Sequence, residues 1–247
     1  MMERTLSWFS AGAASAVATK LLLSENANGV EAVYCETGAE HPDNERFIKD
    51  CEAWFGQPVI RIRSERYSST WDVWEKRRWL AGIEGALCTD ELKKQPRFAY
   101  QRPWDKHVFG YTCDAADVGR FVRFQQNFPE LSVRAPLIER GINKAGCLGF
   151  LQSAGIKLPA MYALGFHNNN CIPCPKATSP DYWSLMRKQF PAEFERMAKL
   201  SRELDVRLTR IKDVRCFIDE IPADWATTNP IAPACDFLCQ IAVEDAA

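Results

Sequence analysis

Apolar residues recur along the first 160 positions in two alternating periods. Short runs of near-continuous apolar character, Thr5–Phe9, Val30–Cys35, Pro58–Arg63, His107–Tyr111 and Val133–Ile138, read as strands of a sheet buried on both faces. Between them lie segments with helical spacing: Ala13–Ser24, Asn44–Phe55, Val118–Asn127 and Asn143–Ala154. Stop signals fit the first two, with Asn26-Ala27-Asn28-Gly29 after one and Gly56 after the other. The stretch from Trp71 to Tyr100 is less regular. It reads as a helix over Trp71–Trp79, a loop over Gly82–Thr89 and a short helix over Asp90–Tyr100 despite Pro96.

Strands alternating with helices at this spacing predict an α/β fold, a parallel sheet flanked by helices in the Rossmann-like manner. Beyond Pro159 the character changes to aromatic-rich helices around Tyr182–Leu204 and a Pro-containing tail. The expected organisation is an α/β domain over 1–158, with a cysteine-containing helical extension and tail over 159–247 packed on it. The stripe Tyr182, Trp183, Met186, Phe190, Phe194 and Met197 reads as core or a subunit interface, so a homo-oligomer stays open.

The chain has 247 residues, 47% of them apolar, enough for a sizeable core. A net charge of −1 provides no global attraction to nucleic acid or membrane. Local basic clusters remain, at Arg61, Arg63 and Arg66, at Lys93, Lys94 and Arg97, and at Arg120 and Arg123. The N-terminus reads without a signal peptide, and Ala11–Leu23 is short and broken by Lys20, so a soluble cytoplasmic protein is expected. Ten cysteines are many for such a compartment, where structural disulfides do not persist.

After the first strand comes Ser10-Ala11-Gly12-Ala13-Ala14-Ser15 at a helix start. Small residues let the backbone approach an anion, and a helix N-terminus offers unpaired N–H groups with partial positive charge. The loop lacks the lysine of a Walker motif and the glycine spacing of a dinucleotide fingerprint. Cys171-Ile172-Pro173-Cys174, in a polar turn, suits a zinc or iron–sulfur site, with a metal-free redox pair as the other reading. Cys171, Cys174, Cys235 and Cys239 together would also serve a structural zinc.

The small-residue loop, helix and strand, followed by Glu36-Thr37-Gly38-Ala39-Glu40-His41-Pro42-Asp43, resembles the PP-loop superfamily, and most closely its phosphoadenylyl-sulfate reductase branch. Leu87–Pro96 is similar to the branch's cysteine–lysine–proline segment, keeping Cys88 of a cysteine pair, and Arg134-Ala135-Pro136-Leu137 to its Arg-x-Pro-Leu strand. Gly110-Tyr111 stands at a Gly-x-Arg turn whose arginine is here Thr112, and Ala14 replaces the aspartate of nucleotide-splitting members.

The resemblance implies an adenine nucleotide (ATP, APS or PAPS) on Ser10–Ser15, Glu36, Thr37, Gly38, His41, Gly110 and Arg134. It also implies a 4Fe-4S cluster on Cys88, Cys171 and Cys174, the fourth ligand being Cys235, Cys239, Cys113 or an exchangeable non-protein group. The activity it implies is reduction of an adenylyl sulfate to sulfite, with a tail thiol, Cys235 or Cys239, as nucleophile, Lys93 and Lys94 beside it, and a thioredoxin-like electron donor. Two alternatives stay open. One is an ATP-dependent sulfur transferase acting on a nucleic-acid base, the only reading with a nucleic-acid partner. The other is a nucleotide-binding regulator without catalysis.

Overall fold

The computed structural model describes residues 4–25, 28–82 and 85–226. Its centre is a five-stranded parallel sheet of β1 (Thr5–Trp8), β2 (Val30–Cys35), β3 (Val59–Ile62), β4 (Lys106–Phe109) and β5 (Ser132–Arg134), ordered β3-β2-β1-β4-β5. The predicted α/β fold is therefore present. Chain direction reverses its lateral progress between β1 and β4, so a crevice opens beyond their carboxyl ends.

Helices fill the connections. They are α1 (Ala13–Glu25), α2 (Asn44–Phe55), α3 (Thr70–Arg77), α4 (Leu87–Thr89), α5 (Gln95–Tyr100), α6 (Ala115–Asn127), α7 (Pro136–Glu139) and α8 (Lys144–Ser153). The C-terminal part adds α9 (Ala160–Ala163), α10 (Pro180–Gln189), α11 (Pro191–Glu203) and the hairpin β6 (Thr209–Ile211) and β7 (Val214–Cys216). No described helix is long and apolar enough to cross a membrane.

Local chemistry explains the boundaries. Gly56, at φ 72°, supplies the left-handed residue that ends α2, its N–H donating to Glu52 O at 3.0 Å. Ser69 caps α3 by accepting from the Asp72 N–H at 3.2 Å. The last sheet strand is shorter than the predicted Val133–Ile138, because Pro136 has no N–H to give a ladder and its fixed φ suits the first turn of α7. Part of the predicted loop, Leu87–Thr89, is the first turn of a helical run that continues through a π-turn at Asp90–Lys94 into α5, where Pro96 is tolerated near the start.

Besides a small cluster at Leu6, Trp8 and Val33, two large apolar cores result among the described residues. One joins Phe9, Val17, Leu21, Phe47, Ile48 and Phe150 beneath α1, α2 and α8. The other joins Trp74, Leu80 and Leu92 to Met161, Trp183 and Met197, so it draws residues from both sides of position 158. The aromatic stripe of α10 and α11 is partly this core: Trp183, Met186 and Met197 are fully buried. The C-terminal segment thereby holds its Cys-x-x-Cys turn against the carboxyl edge of the sheet, where the Ile172 N–H donates to Ala39 O at 2.8 Å.

Candidate active-site cleft

The loop after β1 is the best organised part of the crevice. Ala11 is fully buried at φ 54°, a left-handed conformation disfavoured for a residue with a Cβ, and the surrounding packing holds it there. The Ser15 hydroxyl donates to Gly12 O (2.9 Å) and accepts from the Ser10 N–H (3.0 Å) and the Ser10 hydroxyl (3.0 Å), closing the turn on itself. The Ala16 N–H returns to Gly12 O at 3.0 Å, and the N–H groups before it fall outside the helical ladder. That of Ala13 donates to the Tyr162 hydroxyl at 3.2 Å.

Gly110, after β4, lies against this loop. A Cβ there would stand 2.7 Å from Ser15 N and Cα and 2.9 Å from the Ala14 carbonyl carbon, so only glycine fits. Asn169 fastens the other side, donating to Ala11 O (2.6 Å) and Asn44 Oδ1 (2.8 Å) while its own Oδ1 is buried without a partner. Between them lies a cavity of about 430 Å³ lined by Ser10, Gly12, Ser15, Gly110, Lys144 and Asn168, among others.

Lys144 is a functional candidate that the sequence reading passed over. Among the described residues its ammonium pairs with neutral groups, the Tyr162 hydroxyl (3.2 Å) and Asn168 Oδ1 (3.2 Å), and it sits 5.2 Å from the Tyr162 ring centre. It occupies the first turn of α8, where the helix dipole opposes a cation. That opposition was the available signal, since a lysine directly after the N-cap Asn143 is out of place unless an anion is to be met. The same cavity has an acidic side: Asp114 and Asp117 line it, the Thr112 hydroxyl sharing its one proton between them at 2.8 Å each, while the Thr112 N–H (3.1 Å) and Arg120 also hold Asp117.

The opposite wall is built by the turn after β2. Glu40 accepts from the Thr37 N–H (2.7 Å), the Thr37 hydroxyl (2.6 Å) and the Ala39 N–H (3.0 Å). Thr37 Oγ1 lies 2.9 Å from Cys171 Sγ, joining this turn to the Cys-x-x-Cys segment. Gly38, at φ 66°, passes so close to the Ser68 carbonyl oxygen that a Cβ would collide with it. Burial pushes the Cys171 thiol up to about 11, although Lys93 opposes the shift. Burial likewise raises Cys88, and Cys174 is near enough to add to it. For Lys93, burial pulls the ammonium down, but Cys171, Cys35 and Glu40 outweigh it and the net shift is upward.

A second cavity of about 350 Å³, lined in part by Trp8, Cys35, Lys93, Arg97, Phe109 and Cys171, opens on this side. Trp8, Ser10, Phe109, Tyr111, Asn169 and Asn170 line both cavities, so they are two lobes of one cleft.

The predicted residues thus divide. Ser10, Gly12, Ala14, Ser15 and Gly110 meet in the loop lobe; Cys171, Lys93 and Lys94 border the other; Ala11, Ala13, Thr37 and Gly38 shape the walls behind them. Three are held elsewhere. Arg134 is turned to Glu25 (3.0 Å) and Glu139 (2.6 Å), at the far end of α1 from the loop. His41 packs edge-on against Phe190, 6.1 Å between ring centres, and accepts from the Asp43 N–H at 3.1 Å. Glu36 faces Arg61 at 3.4 Å. Among the described residues no three thiol, imidazole or carboxylate groups close on one point as metal ligands do. Cys235 and Cys239 lie outside the described residues.

No protein-family model and no curated protein matches the chain. Among solved structures it is similar to phosphoadenylyl-sulfate (PAPS) reductase from Candida auris in a phosphate complex. The identity is 13%, the match covers 68% of this chain and 81% of that one, and the TM-score is 0.49.

Proposed function

We propose that the cleft takes an adenine nucleotide by its phosphate end, and that the chain is a sulfonucleotide-reductase-like enzyme releasing sulfite from an adenylyl sulfate. One observation carries the reading: the first turn of α1, the Lys144 ammonium and a thiol wall face a single crevice at the carboxyl ends of β1, β2 and β4. Helix N–H groups and an ammonium with no carboxylate partner among the described residues suit a phosphate. The thiols supply the nucleophile class that sulfur transfer needs.

In this proposal an enzyme thiolate attacks the sulfate sulfur. A sulfur–sulfur bond forms, the bond from that sulfur to the nucleotide phosphate oxygen breaks, and the nucleotide leaves with the electron pair on its phosphate. A second thiol, from a thioredoxin-like donor, then attacks the enzyme sulfur. Sulfite leaves with its electron pair and the two thiols end as a disulfide. The resemblance assigns the attack to Cys235 or Cys239. Lys93 at the thiol wall and Lys144 at the loop stabilise the anions that develop.

A 4Fe-4S cluster on Cys88, Cys171 and Cys174, with Cys235 as fourth ligand where Cys239 is the nucleophile, belongs to the proposal as a separate part. The described thiols do not close a metal site by themselves, so no step is routed through it. Anaerobic purification with iron and sulfide analysis tests that part: brown protein whose iron is lost in Cys171→Ser and Cys174→Ser supports it, and colourless wild type rejects it. The reaction itself is tested by incubating the protein with adenylyl sulfate or its 3′-phosphate and a dithiol, and measuring sulfite. Sulfite release that disappears in Cys235→Ser or Cys239→Ser is expected. Tight nucleotide binding without sulfite from either compound would refute the reductase and leave a binding protein.

A further inference from the structure

Arg97 is out of balance with its surroundings. It is only 7% exposed, yet its Nε and Nη2 are buried without a hydrogen-bond partner among the described residues. A guanidinium keeps its charge and has five N–H donors to satisfy, so burying it unpaired is costly. Phe98, Phe124 and Phe128 surround it with ring centres at 4.8, 5.4 and 5.3 Å. Rings offer their faces to the cation but give its in-plane N–H groups no acceptor. Among the described residues no carboxylate pairs with it, and burial accordingly pulls its pKa down.

The lobe that Arg97 lines has an aromatic floor. Trp8 and Phe109 stand side by side on β1 and β4, and Trp8 is fixed in place: its Nε1–H donates to His107 Nδ1 at 3.0 Å, with the two rings nearly parallel (7°). Lys93 adds a second cation on the same side.

We propose that this aromatic lobe binds a planar ring bearing an anionic group, the ring lying along Trp8 and Phe109 and the anion on Arg97. The inference rests on the reading that the neighbouring loop lobe holds a nucleotide phosphate. Two sources have the required chemistry: the same nucleotide, phosphorylated at its sugar as well as at its 5′ end, or a separate aromatic carboxylate bound beside it.

Calorimetry and tryptophan-fluorescence quenching on the full chain test the proposal and separate the sources. The probes are adenosine 5′-monophosphate, adenosine 3′,5′-bisphosphate and 2-naphthoate, against wild type, Arg97→Lys and Arg97→Met. If the nucleotide is the source, the bisphosphate binds wild type at least tenfold tighter than the monophosphate, and Arg97→Met abolishes that gain. If a second molecule is the source, naphthoate binds without displacing the monophosphate and weakens at least tenfold in Arg97→Met. In either case Arg97→Lys falls between. Arg97→Met should melt no lower than wild type, since it removes an uncompensated buried charge. A melting point several degrees lower would make Arg97 a structural residue and overturn the proposal. Monophosphate binding with neither gain nor naphthoate response dependent on Arg97 would overturn it while sparing the nucleotide reading. Arg97-dependent naphthoate binding without any monophosphate binding would do the reverse.

Discussion

Replacing Gly110 by alanine asks directly whether the loop after β1 is a binding device. The added Cβ would lie 2.7 Å from two backbone atoms of Ser15, neither of which can rotate away. Favourable contact between carbon atoms begins near 3.5 Å, so the β4–α6 turn and the loop must part by roughly 0.8 Å. Overpacking of this kind costs about 1–3 kcal/mol. For a chain of this size that lowers the melting temperature by roughly 2–12 °C. The displaced atoms are those that would present the first-turn N–H groups to a phosphate. Losing one charge-assisted hydrogen bond costs about 1.5–3 kcal/mol, or roughly ten- to hundredfold in Kd. Calorimetric titration with adenosine 5′-monophosphate, paired with thermal melts, reads both effects. Gly119→Ala is the control: in the interior of α6 its Cβ meets only the Arg123 Nη1, at an ordinary 3.6 Å, so helix propensity should gain up to about 1 kcal/mol with binding unchanged. Wild-type affinity in Gly110→Ala, with the melting point lowered as expected, would refute the assignment of this loop to the phosphate.

Lys144→Met should weaken the same nucleotide about tenfold and flatten the dependence of Kd on salt, while leaving stability unchanged or slightly higher because a cation leaves a helix N-terminus; titrations at two ionic strengths check both. Asp105 bears on acid stability. Burial pushes its carboxyl up, but hydrogen bonds from Arg4 (2.6 Å) and the Arg102 N–H outweigh it, so its folded pKa lies below the ordinary value. Its contribution is therefore complete above the unfolded pKa of about 3.9 and is lost as pH falls through the lower folded value. Urea unfolding at a series of pH values should show a stability loss below about pH 4 that is shallower in Asp105→Asn, with that variant already about 3 kcal/mol weaker at pH 7. A parallel acid limb in the two proteins would dismiss this role. The Cys35 thiol, pushed up to about 11 mainly by burial and held back by Lys93 and Arg97, should alkylate negligibly at neutral pH and roughly tenfold faster per pH unit above it. Peptide mass spectrometry after iodoacetamide pulses follows it, and Lys93→Met should slow the reaction further.

Much of the fold was legible because parallel strands buried on both faces leave apolar runs that polar helix ends interrupt. β1, β2 and β3 and helices α1 and α2 stand within a residue or two of their predicted places. Two features escaped for physical reasons. The β6–β7 hairpin turns on Lys212 and Asp213, both left-handed at φ 48° and 65°, with no glycine to announce the turn. The second core gathers α3 and the 80–92 segment with α10 and α11 from far along the chain, an association no local period encodes. The site divided in the same way. The loop and Gly110 followed from small residues in the right order, but Arg134 and His41 were expected in the cleft from motif position alone. Their orientation is decided by partners no motif encodes: Glu139 nearby and Glu25 far off in sequence for Arg134, and Phe190 for His41.

Charge pairing sets three cations of the cleft apart from the rest of the surface. Arg46, Arg61, Arg134 and Arg202 each meet carboxylates within 3 Å or close to it. Lys93, Arg97 and Lys144, which border the two lobes, make no ion pair among the described residues. Acidic partners are not scarce, since the chain holds 32 acidic residues against 31 Lys and Arg, and Asp114, Asp117 and Glu40 line the same cleft. Those carboxylates are committed instead: Asp114 and Asp117 accept from Thr112, Asp117 also pairs with Arg120, and Glu40 accepts from Thr37 and Ala39. Arg120 and Lys94 find acids at Asp117 and Asp90, while Lys93, Arg97 and Lys144 are left for an anion brought from outside. The net charge of −1 says nothing of that, because recognition here depends on where three cations stand unpaired and not on their sum.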